Sequence, residues 1–103
     1  MRTLIVPPAA QRDQDSVQML SAWIAEKGLH CTMNVGMWHA QGVSESRAWG
    51  ILLADVIRHL ANAIEEEHGQ SRDVIAAEII QSLHNEIDDP TSGAKGGFHP
   101  GHT

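Results

Sequence analysis

The alternation of apolar and polar residues changes its period along the chain, and each change predicts an element. "TLIV" at residues 3–6 is a short β-like run, halted by Pro7 and Pro8, which fix the backbone dihedral and cannot donate ladder hydrogen bonds. After a loop to about Asp13, Asp15 fits an N-cap, with Gln18 placed to reach back as in a capping box. Val17, Leu20 and Ile24, with Met19 and Trp23, then make one stripe of helical spacing that Gly28 ends. From there the period shortens to two, so "GLHCTMNVGMWH" (28–39) reads as a strand. Ser44 caps the longest helix, about residues 45–67. Trp49, Leu52, Leu53, Val56, Ile57, Leu60, Ala61 and Ile64 cover well over half its circumference, which predicts a mostly enclosed helix. Glu65, Glu66 and Glu67 have the wrong sign for the negative end of a helix, so that end is expected to be wet or met by a cation. A further helix starts near Ser71 with Ile75, Ile79, Ile80, Leu83 and Ile87 inward, and "DDP" closes it. The final "TSGAKGGFHPGHT" is too rich in glycine for a regular element.

The expected fold is therefore a small single α+β domain in the order strand, helix, strand, helix, helix. Residues 1–98 form the domain, and 99–103 a flexible tail. Two short strands make a poor sheet by themselves. Either the two chains of a dimer join their sheets, or the helices carry most of the stability. A parallel pair with a right-handed crossover is the favoured topology, with an antiparallel pair as the alternative.

Composition narrows the function classes. The 103 residues with 42% hydrophobic content suit one domain, and such a chain buries roughly 65% of its unfolded surface. That leaves little surplus stability, which self-association would supplement. A net charge of -6 with scattered cations argues against nucleic acid as a partner. No stretch approaches the roughly 18 apolar residues of a membrane helix, and no basic-then-apolar leader is visible, so a soluble cytoplasmic protein without a membrane partner is expected.

The densest candidate chemistry is residues 28–39, which hold His30, His39, Cys31, Met33 and Met37. Strand parity divides this apparent soft-metal set. Leu29, Cys31, Met33, Val35 and Met37 share one apolar face, whereas His30, Thr32, Asn34 and Trp38 share the other. The sulfur atoms then read as core filler, and no metal or other cofactor is expected. Asp55, Arg58, His59 and Asn62 form the one polar stripe of the long helix, at spacings of three and four. As a site, Asp55 orients His59 as a general base and Arg58 grips an anion, with Lys95 from the "GAKGG" segment as a further ligand-binding candidate. As structure, the same groups satisfy one another or another element, for buried polar groups are ordinarily paired. "TSGAKGG" lacks the following helix of a phosphate loop, and Cys31 with His59 and Asp55 carries no triad signature. His99 and His102 sit in the expected tail.

"LIVPPAA", "WIAEKGLHCTMNVGMW", "RAWGILLADVIRHLANA" and "PTSGAKGGF" resemble a proteobacterial family of about 100-residue proteins catalogued as a domain of unknown function. The resemblance spans nearly the whole chain. It implies a bacterial, free-standing small protein and places Pro90 to Phe98 within the folded unit, but it carries no activity and no catalytic residues. The reading that follows is a non-catalytic homodimeric binding or regulatory module. The rival is a small-molecule-binding protein or small enzyme built on Asp55, Arg58, His59, Asn62 and Lys95.

Overall fold

The computed structural model describes residues 1–100. The fold is α+β, and its elements in chain order are α1 (Pro8–Arg12), β1 (Leu20–Ala25), β2 (Gly28–Asn34), α2 (Met37–Ala40), α3 (Glu45–His68), α4 (Arg72–Asp88) and β3 (Ala94–His99). One three-stranded sheet runs in the order β1-β2-β3. β1 and β2 are antiparallel, with Leu20 opposite Met33 and Ile24 opposite Leu29. β2 and β3 are parallel, with Cys31 opposite Gly96 and Met33 opposite Phe98.

Several expected elements change identity. The stripe at Val17, Leu20 and Ile24 does not form a helix, because residues 20–25 pair with β2 as a strand. Leu20, Ala22 and Ile24 also alternate with Ser21 and Trp23, and the adjacent apolar strand makes that shorter period the one that pairs. Asp15 is not a cap. Its N–H donates to Oδ1 of Asp13, which builds a turn leading into the strand. "TLIV" pairs with no strand among the described residues, and Pro8, expected only to stop a strand, starts the five-residue α1. The strand from Gly28 ends at Asn34. Gly36 takes the left-handed conformation (φ 107°), and Met37 and Trp38 move into α2.

The glycine-rich end also forms a strand. Gly96 has φ 133°, and a Cβ built there would fall on the carbonyl oxygen of Cys31, so only glycine permits β3 to lie this close to β2. β3 includes His99, one residue into the expected tail, while residues 101–103 of that tail lie outside the described residues.

The helix limits agree closely with expectation. The Ser44 hydroxyl accepts a hydrogen bond from the Arg47 N–H at 3.3 Å, and Gly69 ends α3 in the left-handed region (φ 78°). The three glutamates do meet a cation: Glu65 accepts from the Arg72 backbone N–H at 2.8 Å and lies 3.6 Å from its guanidinium. This fastens α4 back on α3. No helix among the described residues is long and apolar enough to cross a membrane.

Packing departs most from expectation. Parity puts Leu20, Ala22, Ile24, Leu29, Cys31 and Met33 on one apolar sheet face, yet no helix covers it: Ile24 is 82% exposed and Phe98 68%. α3 and α4 pack on one another and hardly meet the sheet. α3 is not enclosed by its own chain. Among the described residues only Ala61 and Ile75, at the α3–α4 seam, are buried. The chain exposes 8656 Å², against about 5,700 Å² for a compact monomer of this mass. Its radius of gyration is 15.5 Å, where about 13 Å is usual for this length.

Two substitutions test the hairpin and the third strand. Glu26 and Lys27 join β1 to β2 with φ of 50° and 65°, values that favour glycine. Lys27→Gly should therefore raise stability by about 0.5–1 kcal/mol, read as a higher urea midpoint with an unchanged slope. Gly96→Ala should cost about 2 kcal/mol, with loss of amide protection confined first to residues 94–99.

Candidate functional site

A broad, open concave surface lies beside α3. Glycine at 36 turns the chain out of the sheet, and α2 then sets Trp38 edge-on against Trp49, with ring centroids 5.8 Å apart and planes at 88°. One carboxylate secures this corner. Glu45 accepts from the Gly36 N–H (2.9 Å), the His39 N–H (3.0 Å) and the Trp49 indole N–H (3.2 Å). Sequence reading passed over Glu45; its place at the first position of a capped helix, just after a glycine-containing loop, was the available signal. The donors, the Gly36 N–H foremost, hold its carboxyl below the ordinary value of 4.5 in spite of partial desolvation.

Beyond the tryptophan pair runs an open groove of about 700 Å³. Trp38, Ile51, Leu52, Val56 and Leu60 make it mainly apolar, and Asp55 and His59 stand along it. The polar stripe expected on this helix divides among different partners. Asp55 pairs with Arg58 at 2.9 Å, and both side chains are about two-thirds exposed. Such a pair contributes little to stability. Asn62 faces α4, where its Oδ1 accepts from the Arg72 guanidinium at 3.4 Å. His59 lines the groove and is exposed. Lys95 is on β3, in register with His30, on the sheet that the helical pair hardly meets. The structure thus gathers Asp55, Arg58 and His59, turns Asn62 toward α4, and puts Lys95 on a separate layer.

The residues around Cys31 follow strand parity. Cys31 is half-buried on the apolar face, and His30, Thr32 and Asn34 share the opposite one with Ser21 and Trp23. Trp38 leaves that row for the corner described above. Among the described residues, no three His, Cys, Asp or Glu side chains converge as metal ligands would. A hollow of about 190 Å³ lies where Gln18, Ser21, Thr32 and Asn34 meet, and there the Asn34 Oδ1 is buried without a hydrogen-bond partner among the described residues. An orphaned acceptor of this kind favours a donor from outside the chain.

Glu45 gives the corner a pH dependence. Because its folded carboxyl is more acidic than its unfolded one, its contribution is complete above about 4.5 and is lost as pH falls through the lower folded value. Glu86, held down by the Thr91 hydroxyl and N–H, behaves alike at the end of α4. Urea midpoints between pH 6 and pH 3 should fall less steeply for Glu45→Gln than for the wild type, and quenching of Trp38 and Trp49 fluorescence should change with them.

Comparison with known proteins places the fold. A solved structure from the photosynthetic bacterium Rhodopseudomonas palustrus CGA009, provisionally described as a pyruvate dehydrogenase, is similar over 92% of both chains, with a TM-score of 0.66 and 24% identity. At that identity the likeness concerns the fold alone. No curated protein matches. A family model covers residues 3–91, from the arm that precedes Pro7 through the whole of α4, and the chain belongs to that family, a domain of unknown function (DUF5076).

Proposed function

We propose that the chain is a non-catalytic, homodimeric binding or regulatory module of the bacterial cytoplasm, in which residues 1–98 act as one folded unit. The observation that carries this reading is the surface left uncovered: about 3,000 Å² more in total than a compact monomer of this mass exposes, with many large apolar side chains on it. It is concentrated on the sheet face and on α3 and α4, where Ile24, Ile51, Ile80, Ile87 and Phe98 are each more than half exposed. Obligate dimers bury 2,000 Å² or more in total, so a second copy has ample surface to cover. A non-catalytic role is supported by the polar stripe. The Asp55 carboxylate engages Arg58 rather than His59, and the pair is open to water.

The second reading, a small-molecule or small-enzyme site using Asp55, Arg58, His59, Asn62 and Lys95, is favoured by one observation. Asp55 and His59 border a groove of ligand size. The pyruvate dehydrogenase description of the structural neighbour belongs to that protein and adds no substrate here.

Light scattering at micromolar concentration should give twice the 11.2 kDa chain mass. A folded species of single-chain mass would refute the dimer. A thermal-shift screen against metabolites tests the second reading, since a hit that disappears in His59→Ala would restore the ligand site.

A further inference from the structure

Two uncovered features of the chain, its N-terminal arm and the groove on α3, complement one another. The arm before Pro7 carries Leu4 (96% exposed), Ile5 (86%) and Val6 (55%). Its one hydrogen bond among the described residues is from the Gln11 side-chain amide to the Val6 carbonyl, 2.7 Å. The groove on α3 is apolar and open. We propose that the Thr3–Val6 arm of a second copy lies in this groove, so that the two chains exchange arms. The inference rests on the homodimer reading above and specifies how that dimer is fastened.

Four observations support the exchange. First, the match to the family begins at residue 3, so the arm belongs to the family's unit although it packs on almost nothing in its own chain. Second, the dimensions agree. The four extended residues of the arm span about 13 Å, which fits within the stretch of α3 from Ala48 to Leu60 that the groove follows, about 18 Å at helical rise. Third, Pro7 is in the polyproline region (φ -55°, ψ 142°), which holds the arm extended ahead of α1 instead of folding it over that helix. Fourth, residues 1–12 contain Arg2 and Arg12 and no acid, whereas the chain as a whole has a net charge of -6, so a second copy attracts such a segment.

The groove also suits an extended segment better than a sheet face. It is bounded by α2 with Trp38 on one side and follows a single helix. β-Branched Ile5 and Val6 supply narrow, stiff side chains for such a channel. A broad sheet face, by contrast, needs a broad surface.

Cysteine cross-linking decides between occupants. In a Cys31→Ala background, the pair Ile5→Cys and Val56→Cys should oxidise at micromolar protein to a covalent dimer on a non-reducing gel, in most of the chains. The control pair Ile5→Cys with Ile24→Cys should link far less. An intrachain link, or linking no better than the control, overturns the arm exchange, and light scattering on the same wild-type protein shows whether the dimer itself survives. A monomeric wild type overturns both. As an independent check, Ile5→Asp alters a side chain that is 86% exposed, so circular dichroism should not change while the dimer dissociation constant rises at least tenfold. An unchanged constant is a second way for the exchange to fail.

Discussion

The hydrophobic face of a sheet has to be covered, and here the chain carries its own helices away from the place where they would do so. In an ordinary parallel crossover the connecting helices lie back over the strands they join. β2 and β3 are parallel and adjacent, yet α3 and α4 between them hardly touch the sheet. The cause is at the exit of β2. Gly36 turns the backbone left-handed, Glu45 gathers the Gly36 and His39 N–H groups, and the Trp38–Trp49 contact sets the corner from which α3 departs. At the return, Glu86 holds Thr91, and Gly96 lets β3 approach β2. Both ends of the helical pair are fixed by hydrogen bonds, and the apolar faces remain apart.

That arrangement sets the energetics. A fully buried leucine or isoleucine contributes roughly 1.5–3 kcal/mol, but only Ala61 and Ile75 reach burial among the described residues. The ladder and the helix hydrogen bonds cannot offset the entropy of ordering the chain by themselves. If a second copy covers those faces, folding is coupled to association and stability depends on protein concentration. The match to the DUF5076 family model includes the arm at residues 3–6 and extends to residue 91.

Sequence made the α+β class and the two long helices legible, because their signals are local. Ser44 and Gly69 mark the ends of α3 through backbone chemistry that needs no distant partner. The parity of residues 29–33 was equally legible, and with it the separation of Cys31 from His30. The misassigned elements are those decided by pairing. Residues 17–24 satisfy a helical stripe and a short alternation, and only the neighbouring β2 selects the second. β3 was hidden because the glycine needed for close approach is also the residue that ordinarily argues against a strand. "TLIV" has the composition of a strand but no partner strand among the described residues, and composition cannot report that. Of the candidate site, the polar stripe was readable from spacing, whereas its division between Arg58, Arg72 and the groove depended on where α4 and α2 would lie.

The groove also makes the two functional readings compete for the same place. His59 and Asp55 stand along the apolar floor at Ile51, Leu52 and Val56, so whatever covers that floor comes up against them. If an arm from another copy is the cover, the stripe becomes the polar rim of an interface, the usual position for charged groups around an apolar centre. A metabolite in the groove would then have to displace the arm, and its apparent affinity would fall by the fraction of chains in which the groove is open. Ligand binding and dimer formation would oppose each other, each weakening the other by the same factor. In a chain with so little surface buried within itself, that opposition would extend to folding, because a ligand that released the arm would also remove cover from α3.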